Sequence, residues 1–227
     1  MEYREPLVWA DSPCTTFRYC ELAEEQKTPV QNGWQTNTKS FDEVWDAHQA
    51  NRSNIGLVLG NISGVMDIDC DNRQAVALMH HLADGYLGQF KRSHDSAHYL
   101  FLCKGGGKTV RLAQPDGGVI VELRGDGSQT MVPPSTHPDG QQLSIKDWQP
   151  DASHQQYNSL YQLVHRVGAM ALLMRGWHVG SRHQLSLSFA GLCQSLGISY
   201  DDAYEMVQCL CHVTHDDEEN ARLHNVK

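Results

Sequence analysis

The sequence predicts an α+β fold, with a mixed-sheet domain over residues 1–150 and a small all-α helical bundle over residues 151–227. Three observations carry this. Short apolar runs bounded by Gly and Pro fill the first 150 residues, as strands do. Capping signals open helices among those runs. Beyond about residue 153 the strand patterns stop and helical periodicity takes over. Strands interleaved with helices mark a layered fold.

In chain order, strands are expected over 55–59, 65–69, 98–103, 119–123 and 130–132. Ser40-Phe41-Asp42-Glu43 is a capping-box pattern that opens a helix over 41–50. Asn72 caps a second helix, expected to run to about Phe90 with Ala75, Leu78, Leu82 and Leu87 near one face. Gly105-Gly106-Gly107-Lys108-Thr109 follows a strand, but Leu102 stands where a phosphate-binding loop needs its first glycine. Pro115 and two glycines also prevent a helix from following, so a flexible loop between strands is expected there. The join lies near Trp148-Gln149-Pro150-Asp151. After it, helices are expected from Tyr157 to Arg175, from Gly180 through Leu196, from a Ser199 cap through Leu210, and over 217–224. The acidic run Asp216-Asp217-Glu218-Glu219 is expected as a solvated helix start.

Whole-chain properties bound the function. Seven cysteines without any C-x-x-C pair argue against a disulfide framework and against a zinc ribbon. A reduced, cytoplasmic location is the expectation. No segment approaches the ~20 apolar residues of a membrane span. Met1-Glu2-Tyr3-Arg4-Glu5 has no basic patch followed by an apolar run, as a signal peptide would. A net charge of −9 argues against a dedicated nucleic-acid binder, which ordinarily carries a basic surface. Acids that serve as metal ligands would weaken that objection.

Chemistry is concentrated in Gly64-Val65-Met66-Asp67-Ile68-Asp69-Cys70-Asp71. In a strand, Asp67 and Asp69 share one face about 7 Å apart. Two carboxylates in an apolar strand are costly to bury without a positive partner, and oxygen-only ligands favour magnesium or manganese. The alternative is a strand end where both acids turn to solvent. Three further segments follow: Ser96-Ala97-His98 entering an apolar strand, Val121-Glu122-Leu123-Arg124-Gly125-Asp126-Gly127, and Val132-Pro133-Pro134-Ser135-Thr136-His137-Pro138-Asp139-Gly140.

Taken in this order over about residues 25–150, these segments resemble the bifunctional DNA primase/polymerase ("prim-pol") domain of the archaeo-eukaryotic primase superfamily. The resemblance implies an RRM-like primase-polymerase sheet domain. By position, Asp67 and Asp69 match its first catalytic motif, Ser96 and His98 its small-x-His motif, and Glu122 its third acid, where many relatives carry Asp. Lys27-Thr28-Pro29 looks like the family's K-x-P element. The segments around Gly176–His183 and Gly197–Ser199 are similar to the helical accessory domain often found after it. The implied activity is a DNA primase/DNA polymerase, acting by template-directed nucleotidyl transfer. Asp67, Asp69 and Glu122 would hold two Mg2+ or Mn2+ ions, and His98 would donate to a triphosphate oxygen. Lys108, Arg111 and Arg124 are candidate phosphate partners, since cations aimed at developing charge lower the barrier. Expected partners are single-stranded DNA template, nucleoside triphosphates (NTPs or dNTPs) and a helicase domain or protein, in replication of a mobile element or virus. The chain is expected to be a fragment of a longer replication protein.

Other roles for these residues stay open. A catalytically silent nucleotide- or DNA-binding module fits the acidic charge, and a metal-dependent nuclease would use the same carboxylates. Asp126 sits in a Gly-Asp-Gly turn and is kept out of the metal set. His137 and Asp139 are expected as loop residues rather than ligands. His80-His81 lies mid-helix and lacks the spacer of a nuclease motif.

Overall fold

The computed structural model describes residues 17–93 and 95–226. The N-terminal pentapeptide, Cys14 and His94 lie outside the described residues. Nine strands and six helices are present among those described. A three-stranded sheet has the order β1 (Tyr19–Leu22), β2 (Asn54–Val58), β8 (Gln129–Val132). A six-stranded sheet has the order β6 (Val110–Ala113), β7 (Val119–Arg124), β3 (Val65–Cys70), β5 (Ser96–Leu102), β4 (Gly88–Ser93), β9 (Ser144–Trp148). Every strand pairing is antiparallel, so the large sheet is mixed in its order and not in its strand directions.

The two faces of the large sheet explain the fold. Met66, Ile68 and Cys70 of β3, with Ala97, Tyr99 and Phe101 of β5 and Val121 and Leu123 of β7, form one apolar face. Helix α2 (Arg73–Leu82) and the C-terminal helices α3 (Tyr157–Met174), α4 (Arg182–Ser195), α5 (Tyr200–Thr214) and α6 (Glu219–His224) join them in a continuous core. On the opposite face Val65, Leu87, Phe90 and Leu100 pack against the small sheet and Val44 of α1 (Phe41–Asn51). Alternation along β3 therefore sends its apolar residues to the helices and both its acids into the space between the sheets.

Local capping signals hold. Ser40 and Glu43 form the capping box of α1, Asn72 caps α2 through the Ala75 amide, and Ser199 caps α5 through the Asp202 amide. The second helix is shorter than its periodicity suggests. It stops at Leu82, and residues 88–93 form β4, an inner strand between β5 and β9. Leu87 and Phe90 continue the helical spacing by coincidence, and they are buried as a strand approach and a strand residue. The loop expected after Leu102 lies between β5 and β6, with no helix following. Gly107 lies beneath the Tyr157 ring, its carbonyl accepts from the Asp126 amide at 2.8 Å, and β6 follows as an edge strand.

The acidic run near the C-terminus opens α6 as expected, with Asp217 and Glu218 exposed, but its first residue is not solvated. The Asp216 carboxylate is wholly buried and accepts from Trp177 Nε1 at 3.1 Å, Arg222 Nε at 3.1 Å, Arg182 at 3.2 Å and the Glu218 amide at 3.0 Å. It ties the α3–α4 connection to α6. Burial opposes its charge, but the Glu218 amide and Arg222 outweigh burial and hold its pKa below the ordinary carboxylate value. The resulting stabilisation is present above the ordinary range and is lost as pH falls through the lowered folded value. Asp216→Ala leaves Arg222 and Arg182 with only the exposed Glu218 and Asp217 as partners, and is expected to cost about 3 kcal/mol in chemical denaturation. Asp217→Ala, at an exposed neighbour, should change stability by less than about 0.5 kcal/mol.

Candidate active site

Strand register places six of the sequence-predicted residues in two adjacent rows across the large sheet. Arg111, Glu122, Asp69, His98 and Phe90 are successive cross-strand partners on β6, β7, β3, β5 and β4. Arg124, Asp67 and Leu100 form the neighbouring row. Directly paired residues share a face, so two acids of one strand meet a third acid from β7 and a histidine from β5.

His98 bridges the aspartates. Its Nδ1 lies 2.9 Å from Asp67 Oδ2 and 3.3 Å from Thr130 Oγ1, and its Nε2 lies 3.5 Å from Asp69 Oδ1. The ring stacks on Phe90 with centroids 4.6 Å apart and an interplanar angle of 11°. Arg124 approaches all three acids. Its NH1 is 3.9 Å from Asp67 Oδ2 and 3.7 Å from Asp69 Oδ2, and its Nε is 3.8 Å from Glu122 Oε2. Asp67 is fully buried, and its Oδ1 makes no hydrogen bond.

Burial dominates the electrostatics. It pushes the Asp69 carboxyl up to about 6; Asp67 and Asp71 add to the rise, while His98 and Arg124 oppose it. For His98, burial works against the cation, but the neighbouring Asp69 and Asp67 carboxylates outweigh it and raise the imidazole above its ordinary value. Both shifts have the same sign. Each group contributes stability at low pH that is lost as pH rises through its raised folded value.

A cavity of about 220 Å³ opens over these rows between the two sheets. Lys27, Asp71, Gln129, Met131, His137 and Leu143 line it together with Asp69, Ser96, His98 and Arg124. Buried side-chain hydrogen bonds fasten the loops around it. Asn54 donates to the Gln26 carbonyl at 3.2 Å and to the Thr136 carbonyl at 2.6 Å, and accepts from the Thr136 amide at 2.9 Å. Ser135 Oγ accepts from the Ile55 amide at 2.8 Å, and Gln129 donates to the Lys27 carbonyl at 3.0 Å. These bonds carry the K-x-P turn and the Pro-Pro-Ser loop to the cavity.

The structure thus gathers Asp67, Asp69, Ser96, His98, Glu122 and Arg124. Arg111 is exposed on the same sheet face beside Glu122. Lys108 is exposed on its loop and does not line the cavity. His137, expected as a plain loop residue, lines the cavity and pairs with Asp139 at 2.9 Å. Lys27, Asp71 and Gln129 are site-lining residues absent from the expected set, although Lys27 carried a signal in its K-x-P context. Asp126 stands apart from the acid cluster, its Oδ1 accepting from the Asn61 amide at 2.7 Å in a bond between two loops rather than within its own turn.

The donor set, three carboxylates with one buried oxygen lacking any hydrogen bond, has the chemistry of a hard-cation site. As arranged, no group of three or more His, Cys, Asp and Glu side chains among the described residues forms a metal site. Arg124 and His98 supply the positive charge between the acids. Asp69→Asn removes the carboxylate that burial disfavours. Its melting temperature relative to the unsubstituted protein should rise by roughly 5 °C between pH 4 and pH 8, as read by calorimetry in chelator. A difference that is flat or falls with pH would contradict the electrostatic assignment.

The family model described as bifunctional DNA primase/polymerase, N-terminal, matches residues 9–156. No curated protein matches the chain.

Proposed function

The chain belongs to the bifunctional DNA primase/polymerase family, and on that premise we propose that it performs template-directed nucleotidyl transfer at the cleft between its two sheets. The family carries primase/polymerase-type transfer in general. The assignment of residues, metals and template is our reading. The observation that carries it is the side-by-side register of Glu122, Asp69 and His98, with Asp67 in the next row.

In this reading Asp67, Asp69 and Glu122 would hold Mg2+ or Mn2+, two ions in the full complex. Bound there, such ions would supply Lewis acidity to an attacking hydroxyl and counter-charge to a leaving pyrophosphate. The chain's own groups do the rest. His98, held by Phe90 and Asp67, presents a donor to a triphosphate oxygen. Ser96 lies two residues away on the same strand and lines the cleft. Lys27 and Arg124 face the cavity as phosphate partners, and Arg111 extends the positive charge along the row. Lys108 is left to template or nucleotide contacts outside the cavity. No covalent enzyme intermediate is needed, since positioning and charge carry phosphoryl transfer.

The context is proposed on the same footing: a single-stranded DNA template, a helicase domain or protein in concert, and replication of a mobile element or virus in the cytoplasm. No described helix is long and apolar enough to cross a membrane. We also propose residues 1–150 as the catalytic unit and 151–227 as an accessory unit, one that shares the sheet's apolar core.

Purified protein should incorporate labelled nucleotides on single-stranded DNA with magnesium or manganese, and Asp67→Ala should lower the rate by at least about 100-fold. Asp126→Ala should retain activity wherever the protein remains folded. Nucleotide binding without product would support a silent module instead, and release of labelled DNA fragments without added nucleotide would support a nuclease.

A further inference from the structure

We propose that the Arg124 guanidinium is a built-in competitor for the divalent cation, seated among the three carboxylates until a metal ion displaces it toward phosphate in the cleft. This rests on the reading that Asp67, Asp69 and Glu122 hold metal. Arg124 is a positioning residue here, acting on when the acids become available.

Three contacts support the exchange. The guanidinium lies 3.7–3.9 Å from an oxygen of each acid, so one side chain serves all three as counter-charge. Those distances exceed good hydrogen-bond lengths, so charge rather than directional bonding holds it there. It also leaves Asp67 Oδ1 buried and without a hydrogen bond. A planar fork of N–H donors cannot reach every lone pair of three converging carboxylates, whereas a spherical cation takes oxygen ligands from several directions. Arg124 therefore neutralises the cluster without saturating it.

The side chain is also placed to leave. It is half-buried and lines the cavity, so it can swing by side-chain rotation while β7 keeps its pairing. Its alternative partner would be the anion that enters the same cavity, a nucleoside triphosphate. Occupancy by Arg124 lowers apparent metal affinity by the fraction of molecules in which the acids are free. Phosphate that draws the guanidinium away raises that fraction, which links nucleotide loading to metal loading.

The test uses Mn2+ alone, with no nucleotide, titrated into the full chain and followed by electron paramagnetic resonance of the free ion. Arg124→Gln should bind Mn2+ at least about tenfold more tightly than the unsubstituted protein, and Arg124→Lys, which keeps the charge, should stay within about threefold of it. Guanidinium chloride at tens of millimolar should weaken Mn2+ binding to Arg124→Gln toward the unsubstituted value. A second readout needs no variant: Mg2+ added to the 15N-labelled protein should shift the Arg124 Nε resonance as the side chain leaves the acids. Equal or weaker Mn2+ binding by Arg124→Gln, or an Arg124 resonance indifferent to saturating Mg2+, overturns the exchange while leaving the metal site intact. Absence of Mn2+ binding in every form removes the metal reading, and the exchange with it.

Discussion

Burial of carboxylates on one face of an antiparallel sheet is the constraint on which this structure depends. Asp67 and Asp69 cannot turn to solvent, because β3 lies inside a six-stranded sheet with apolar layers on both sides. Register adds Glu122 beside them. Loss of solvation opposes ionisation there, and the neighbouring like charges add to it; the rise of Asp69 to about 6 follows from burial first and from Asp67 and Asp71 second. His98 and Arg124 are the fold's answer. Each is presented by a neighbouring strand, and each touches more than one acid.

The rest of the architecture serves to keep that row in place and accessible. The helical layer seals the opposite face of the sheet, so the acids have one open direction only. The small sheet stands over that opening and contributes Gln129 and Met131. Asn54 and Ser135 fasten two loops to it through buried hydrogen bonds. Unsatisfied buried amides are costly, so the same bonds that stabilise β2 also fix where Lys27 and His137 stand. A polar cavity with mixed charge follows, suited to an anion carried with its own cations.

Much of this was legible in the sequence because it is local. Alternation along β3, β5 and β7 gave their faces, and Ser40, Asn72 and Ser199 announced their helices. What escaped was tertiary. Strand β4 reads as helix in the sequence because Leu87 and Phe90 keep a helical spacing, while its partner β9 lies more than fifty residues away. The four-residue β6 offers too few residues for a period. Asp216 looked solvated because Trp177 and Arg182 reach it from more than thirty residues away. The motif acids were readable as candidates. That Asp69, Glu122 and His98 are direct partners was not, since register is set by the whole sheet. Arg124 looked like a phosphate ligand, and only the register reveals that it faces the acids.

In the proposed reading, the three carboxylates form one electrostatic unit able to exchange its internal cations for divalent ones. Diffraction at the manganese absorption edge, from crystals grown with Mn2+, tests it most directly. The account predicts an anomalous peak bounded by Asp67, Asp69 and Glu122, with the Arg124 side chain turned into the cleft. An Arg124 guanidinium still seated among the acids, with no peak beside them at saturating Mn2+, would contradict it.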